Sequence, residues 1–223
     1  MNLRQKFKNG GSAALMLAMG AAGTASAESL FEGCPSGPII QRFIEFGKTG
    51  QMPKDLGKWL NTPADQYVEP WKPFDNVDYV GVCWVSAWLV HTDDGVVLID
   101  TLYGPFQKMI IENIGKTGTD LADIKYVMMT HGHFDHIRTA QEISTRFSVK
   151  IVISVEEKRI LKRQNLLYFL HGGKNKLQLP EPSNTNFIDF NLTDEITIID
   201  PKIKLHSFPG HTPGSLMVSY NEH

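Results

Sequence analysis

Thr130-His131-Gly132-His133-Phe134-Asp135-His136 is the stretch that decides how the rest of this 223-residue chain is read. Residues 124–129 just before it form a short apolar run of the buried-strand type, so four metal-capable side chains fall where a strand ends. In an extended segment, residues two apart project to the same side, which lets His131 and His133 grip one ion together. Gly132 allows a tight backbone between them. A turn at Phe134 then swings Asp135 and His136 toward a second position nearby. Zinc takes neutral imidazole nitrogens and carboxylate oxygens, and two ions about 3.5–4 Å apart can clamp a nucleophile and a leaving group. As ordinary core residues, three histidines and an aspartate packed this closely would be costly to bury.

On either side of this stretch, strands and helices alternate. Upstream, residues 77–81 and 82–91 are rich in Val and aromatics with alternating character, and Asp93-Asp94-Gly95 marks a hairpin turn. Val96-Val97-Leu98-Ile99-Asp100 is a buried strand ending in an acid, and residues 106–116 have helical spacing. Downstream come a helix over 139–147, a strand over 149–153 and a charged helix over 156–164. Lys158, Arg159, Lys162 and Arg163 read as that helix's solvated face, with its glutamates pairing at helical spacing. After a Gly-Gly loop at 172–176, four short strands are expected near 187–190, 195–199, 202–208 and 215–220. Strands with interspersed helices imply α/β layers with the helices outside.

The segment 131–136 resembles the His-x-His-x-Asp-His signature of the metallo-β-lactamase superfamily. The strand ending in Asp100 resembles that family's first motif. Pro209-Gly210-His211-Thr212-Pro213-Gly214-Ser215 resembles its third, a turn carrying one more zinc ligand. The stretch from Phe74 to His136 is most similar to the exported, histidine-rich β-lactamase branch. The resemblance implies an αββα sandwich over residues 76–223. It further implies that His131, His133 and His211 are the protein ligands of a first zinc, with a fourth position left for water. Asp135 and His136 match the ligands of a second zinc, and Asp100 matches a carboxylate that orients the ligand loop. A strand-end Asp100 capping the following turn is an equally open reading, compatible with that role.

The implied chemistry is hydrolysis of a small-molecule β-lactam amide by zinc-activated water, with Asp135 orienting the nucleophile. The same ligands would serve a lactone, a thioester or a sulfate ester, because fold and metal site are shared by many hydrolases. A degenerate relative that binds zinc without catalysis is the rival from another class, and two departures from the family pattern speak for it. Arg138 and Thr139 stand where the family usually has Gly-Gly. The chain also stops at Tyr220-Asn221-Glu222-His223, before a further strand ending in Asp and a last metal-binding His. The second half of the sandwich and the second zinc site are therefore expected to be incomplete, leaving one or two ions. His223 is expected to be a turn residue, and Ser215 to close its turn, since no Ser-centred elbow surrounds it.

Composition sets the remaining bounds. With 42% hydrophobic, 21% charged and 10% aromatic residues, 19 Gly and 2 Cys, the chain is neither disordered, collagen-like nor disulfide-dense. A net charge of −2 gives no footprint for nucleic acid. Residues 1–27 read as a signal peptide: Arg4, Lys6 and Lys8 form a basic start, residues 11–23 a small apolar run, and Ala25-Ser26-Ala27 a cleavage site. The apolar run is too short to span a bilayer. Removing 27 of 223 residues leaves 196, and losing three cations takes the net charge from −2 to −5. Export to the periplasm or beyond is thus expected, with no membrane anchor afterwards. There Cys34 and Cys83 could pair, while a buried thiol at Cys83 remains equally open. Residues 28–75 are expected to form an ordered N-terminal extension. His91, His171 and His206 lack metal-like spacing and read as structural or surface residues, and Trp59, Trp71, Trp84 and Trp88 read as core.

Overall fold

The computed structural model describes Cys34 and residues 37–170, 187–191 and 200–220. The expected signal peptide, His171, the loop at 172–176, the strand at 195–199 and His223 lie outside the described residues.

Seven strands form one sheet in sequence order: β1 (Trp71–Phe74), β2 (Val77–Tyr79), β3 (Trp88–Thr92), β4 (Gly95–Ile99), β5 (Ile124–Met128), β6 (Lys150–Ser154) and β7 (Phe187–Phe190). From β1 to β4 neighbours are antiparallel, and from β4 to β7 they are parallel. Parallel pairing requires crossovers, and these carry the helices. An N-terminal group holds α1 (Gly37–Thr49), α2 (Lys54–Leu60) and α3 (Pro63–Gln66). Next, α4 (Gln107–Lys116) joins β4 to β5, while α5 (Phe134–Ile137) and α6 (Ala140–Phe147) join β5 to β6. Finally, α7 (Val155–Leu170) leads from β6 toward β7.

Alternation within the strands explains why the sheet is covered on both faces. Val96 and Leu98 of β4 turn one way, packing with Phe106, Ile110, Ile114, Ile137, Ile143 and Leu161 from the helical layer. Val97 and Ile99 turn the other way, with Val90 and Met128, against Ile203, Leu205, Val218 and Tyr220. The latter four belong to an antiparallel hairpin, β8 (Ile203–Ser207) and β9 (Leu216–Tyr220). Helices, a mixed sheet and a second β layer are thus stacked in the order the α/β sandwich expectation requires. Among the described residues, no helix is long and apolar enough to cross a membrane.

Several boundaries differ from the sequence expectation for physical reasons. The expected strand over 82–91 begins only at Trp88. Residues 80–87 instead close a tight hairpin, in which Val80 N donates to Ala87 O and Val82 N to Val85 O. Its tip is held from outside the sheet: Cys83 N donates to Gln66 O, and Trp84 N to Gln66 Oε1. Cys34 and Cys83 form a disulfide with a Cα–Cα distance of 5.5 Å, which resolves the open choice in favour of pairing. The extension is packed onto the domain as well as bonded to it. Leu56 and Gln66 are fully buried, and Tyr103 Oη donates to Leu60 O. Of the four tryptophans, half-buried Trp88 packs against the cluster around Val97 and Ile99, as expected, whereas Trp59 and Trp71 are half-buried outside both core clusters and Trp84 is exposed. Trp84 is 40% exposed and stacked 4.2 Å from Phe43, so it seals the seam between extension and sheet.

Candidate metal centre

The residues of the centre follow the C-terminal ends of parallel strands, on loops or, for Asp135 and His136, on the short helix α5, or lie on the turn entering β9. Asp100 follows β4 with a left-handed φ of 59°, an uncommon conformation for a residue with a Cβ. Three hydrogen bonds hold its carboxylate there. Oδ1 accepts from Thr130 N at 2.9 Å, and Oδ2 accepts from Thr130 Oγ1 at 2.7 Å and His136 Nδ1 at 2.8 Å. The Asp100 backbone N–H donates to Met128 O, at the end of β5. A strand-end acid thus ties the first loop to the loop bearing the histidines.

Thr130 passes this order on to His131. Its single hydroxyl proton is committed to Asp100, so at 3.0 Å from His131 Nδ1 its oxygen accepts the imidazole N–H. The tautomer that follows leaves a lone pair on His131 Nε2. That atom is buried and has no hydrogen-bond partner. Beside it, His133 Nδ1 and His211 Nε2 face each other at 2.8 Å. Nitrogens of the three rings lie within 4.8 Å of one another, on His131, His133 and His211. Burial, and then the neighbouring His136, His133 and His211, push the His131 imidazole down to about 3. His133 is lowered for the same reasons, burial first and His211 next. Both shifts favour the neutral imidazole, which is the form a metal requires. An unpartnered buried nitrogen and two more turned toward each other suit a zinc ion, and the donor set is chemically right for it.

Asp135 and His136, the expected second pair, lie next to this trio but outside it. The His136 ring is 4.1 Å from the His131 ring, its Nδ1 is taken by Asp100, and its Nε2 lies 3.6 Å from Asp135 Oδ2. Burial works to lower the His136 imidazole, but the hydrogen bond and charge of Asp100, with Asp135 behind them, raise it overall. Phe134 stands at the rim, half exposed, edge-on to Tyr103 at 5.4 Å. Of the other histidines, His91 bonds Asp78 at 2.6 Å through Nε2, and exposed His206 bonds Ser219. Both are structural or surface residues, as expected.

At the Gly-Gly departure, Arg138 N donates to Leu102 O, and Thr139 is completely buried with its hydroxyl unpartnered. Ser215 closes its turn: its Oγ accepts from Thr212 N and lies 2.7 Å from Thr212 Oγ1. The charged helix needs a correction. Glu157 is not on a solvated face paired with the helix's cations; it is fully buried, and its carboxylate accepts from Gly132 N, Gly214 N and Thr212 Oγ1. The expectation of pairing overlooked that the residues three and four positions on from Glu157 are Ile160 and Leu161, which put it on the helix's apolar face.

Comparisons with known proteins identify the family that carries this fold. The family model described as the metallo-beta-lactamase superfamily matches residues 80–223. The chain belongs to that superfamily. It is 26% identical over 135 residues to a protein of Bacillus subtilis described as "Probable metallo-hydrolase YybB", covering 60% of this chain and 55% of that one. Among solved structures, it is similar to BJP-1, a subclass B3 metallo-beta-lactamase of Bradyrhizobium japonicum. The TM-score is 0.57 with 29% identity, over 69% of this chain and 56% of that one. It is likewise similar to the metallo-beta-lactamase GOB-18 from Elizabethkingia meningoseptica, with a TM-score of 0.59 and 27% identity, over 77% of this chain and 61% of that one. The chain thus spans between half and two thirds of the length of these relatives.

Proposed function

We propose that this member of the metallo-β-lactamase superfamily is an exported zinc hydrolase that opens the amide of a small-molecule β-lactam. The observation that carries the proposal is the buried, unpartnered Nε2 of His131 set against His133 and His211. Those three imidazoles would hold zinc, which when bound would supply Lewis acidity and lower the pKa of water at working pH. The chain's own residues do the rest. Asp100 and Thr130 hold His131 in the tautomer that offers Nε2. Asp135, beside His136, orients the attacking water, takes up its proton on a carboxylate oxygen and returns it to the amide nitrogen as the C–N bond breaks. Phe134 gives the mouth of the site an apolar wall that suits a hydrophobic substituent.

The β-lactam substrate is favoured by the likeness to two β-lactamases above 25% identity. Export is supported by the Cys34–Cys83 disulfide, because such bonds persist in oxidising compartments. A second reading, hydrolysis of a lactone or thioester on the same centre, rests on the likeness to a metallo-hydrolase whose description names no β-lactam. The test is turnover of a chromogenic β-lactam by the zinc-loaded chain, beside a lactone and a thioester. Turnover of the β-lactam that a chelator abolishes supports the proposal. Turnover of the lactone or thioester alone moves the substrate to the second reading.

A further inference from the structure

Two separate loops bring the three imidazoles together, and one side chain bonds to both. Glu157 Oε2 accepts from the N–H of Gly132, the residue between His131 and His133, at 2.6 Å. Oε1 accepts from Thr212 Oγ1 at 2.6 Å and from Gly214 N at 2.7 Å, in the turn that carries His211. All three partners are donors, two of them backbone groups. Buried charge is tolerable only when saturated in this way.

Both loops are shaped to admit the carboxylate. A Cβ on Gly132 would stand 2.6 Å from Glu157 Oε2, and one on Gly214 would stand 2.6 Å from Oε1. The glycines flank the cluster for the same reason: each backbone approaches Glu157 more closely than a side chain would allow. Ser154, at the end of β6, holds the glutamate in place. Its Oγ accepts from Glu157 N at 3.2 Å and donates to Gly214 O at 3.1 Å. The serine thus caps α7 as its sequence suggests, which frees the glutamate to reach into the loops. Glu157 also acts on His133 through its charge, favouring positive charge there.

We infer that Glu157 is a positioning residue for the metal centre: it fixes the distance between the His131–His133 loop and the His211 turn, and so sets how tightly the three imidazoles take a cation. The inference rests on the metal reading proposed above. Groups that orient ligands in this way are worth about 10–100-fold in metal affinity when replaced.

The test is zinc affinity of the full chain, measured by competition with a chromophoric chelator, together with the visible spectrum of the Co2+-loaded protein. Glu157→Gln keeps the shape but turns one donating amide toward donors. It is expected to lower zinc affinity about 10–100-fold and to shift the Co2+ bands, with all three imidazoles still present. Thr212→Val removes one donor from Oε1, alters no ligand and no charge, and is expected to give a smaller loss of the same kind. It carries the test alone if Glu157→Gln does not fold. Wild-type affinity and an unshifted Co2+ spectrum in the folded variants, whatever their melting temperatures, would overturn the inference and leave the metal centre standing. A wild-type chain that binds neither ion would overturn both.

Discussion

Asp100 engages Thr130 through both of its carboxylate oxygens, taking the backbone N–H on one at 2.9 Å and the hydroxyl on the other at 2.7 Å. Through the second bond the acid reaches His131 without touching it, and the same oxygen also holds His136 at 2.8 Å. Asp100→Asn puts an amide where three donors converge. The chain is expected to lose about 1–3 kcal/mol of stability, as buried donors lose a charged acceptor, and zinc affinity is expected to fall about 10–100-fold. Denaturant unfolding and chelator competition on the same preparation check both.

Thr130→Val separates the two branches of that network. The Asp100–His136 bond survives, while His131 Nδ1 loses its acceptor and either tautomer becomes open to it. Zinc affinity should fall while the His136 Nδ1 proton keeps its hydrogen-bonded shift by NMR. An affinity equal to wild type would remove Thr130 from the argument.

Thr139 lies where a buried hydroxyl has no partner. Thr139→Val keeps the shape and removes the unsatisfied group, so a gain of about 1 kcal/mol is expected. A rise in melting temperature with unchanged zinc affinity would show that this departure from Gly-Gly costs stability alone.

Acid should destabilise the metal-free protein. His131 titrates at about 3 when folded, below its ordinary value of 6.5, because burial and the neighbouring histidines oppose its charge. Between those values the unfolded chain binds the extra proton, so stability rises with pH across the window and is lost as pH falls through it. His133 acts in the same direction. His136, which is raised, acts oppositely: its contribution is present below pH 6.5 and fades as pH rises through its folded value. The melting temperature of the metal-free chain is therefore expected to be lower at pH 5 than at pH 7.5, with a smaller difference in His131→Gln. The reverse order for the wild type would contradict the neutral, buried His131.

Much of the centre was legible because its signals are local. His131, His133, Asp135 and His136 sit in one hexapeptide after an apolar run, and the spacing alone implies a shared side. His211 needed the second motif, and Asp100 its strand-end position. Glu157 was illegible because two of the three groups it binds are backbone N–H donors, which look the same in every residue, and because the cations of its own helix were the more obvious partners. The strand assigned to 82–91 failed for a related reason. Its period-two pattern is real, but Gln66, distant in sequence, takes the backbone groups that a neighbouring strand would have used. The packing that keeps Trp59, Trp71 and Trp84 out of the core was likewise a tertiary fact, beyond the reach of hydrophobicity.

The central claim is that His131, His133 and His211 form one zinc-binding unit. Equilibrium zinc binding to the metal-free chain, by chelator competition with wild type and His211→Ala side by side, tests it most directly. Tight binding of at least one ion by the wild type, weakened by orders of magnitude when His211 is removed, is the expected result. A folded wild-type chain that takes up no zinc, or an affinity unchanged without His211, would contradict it.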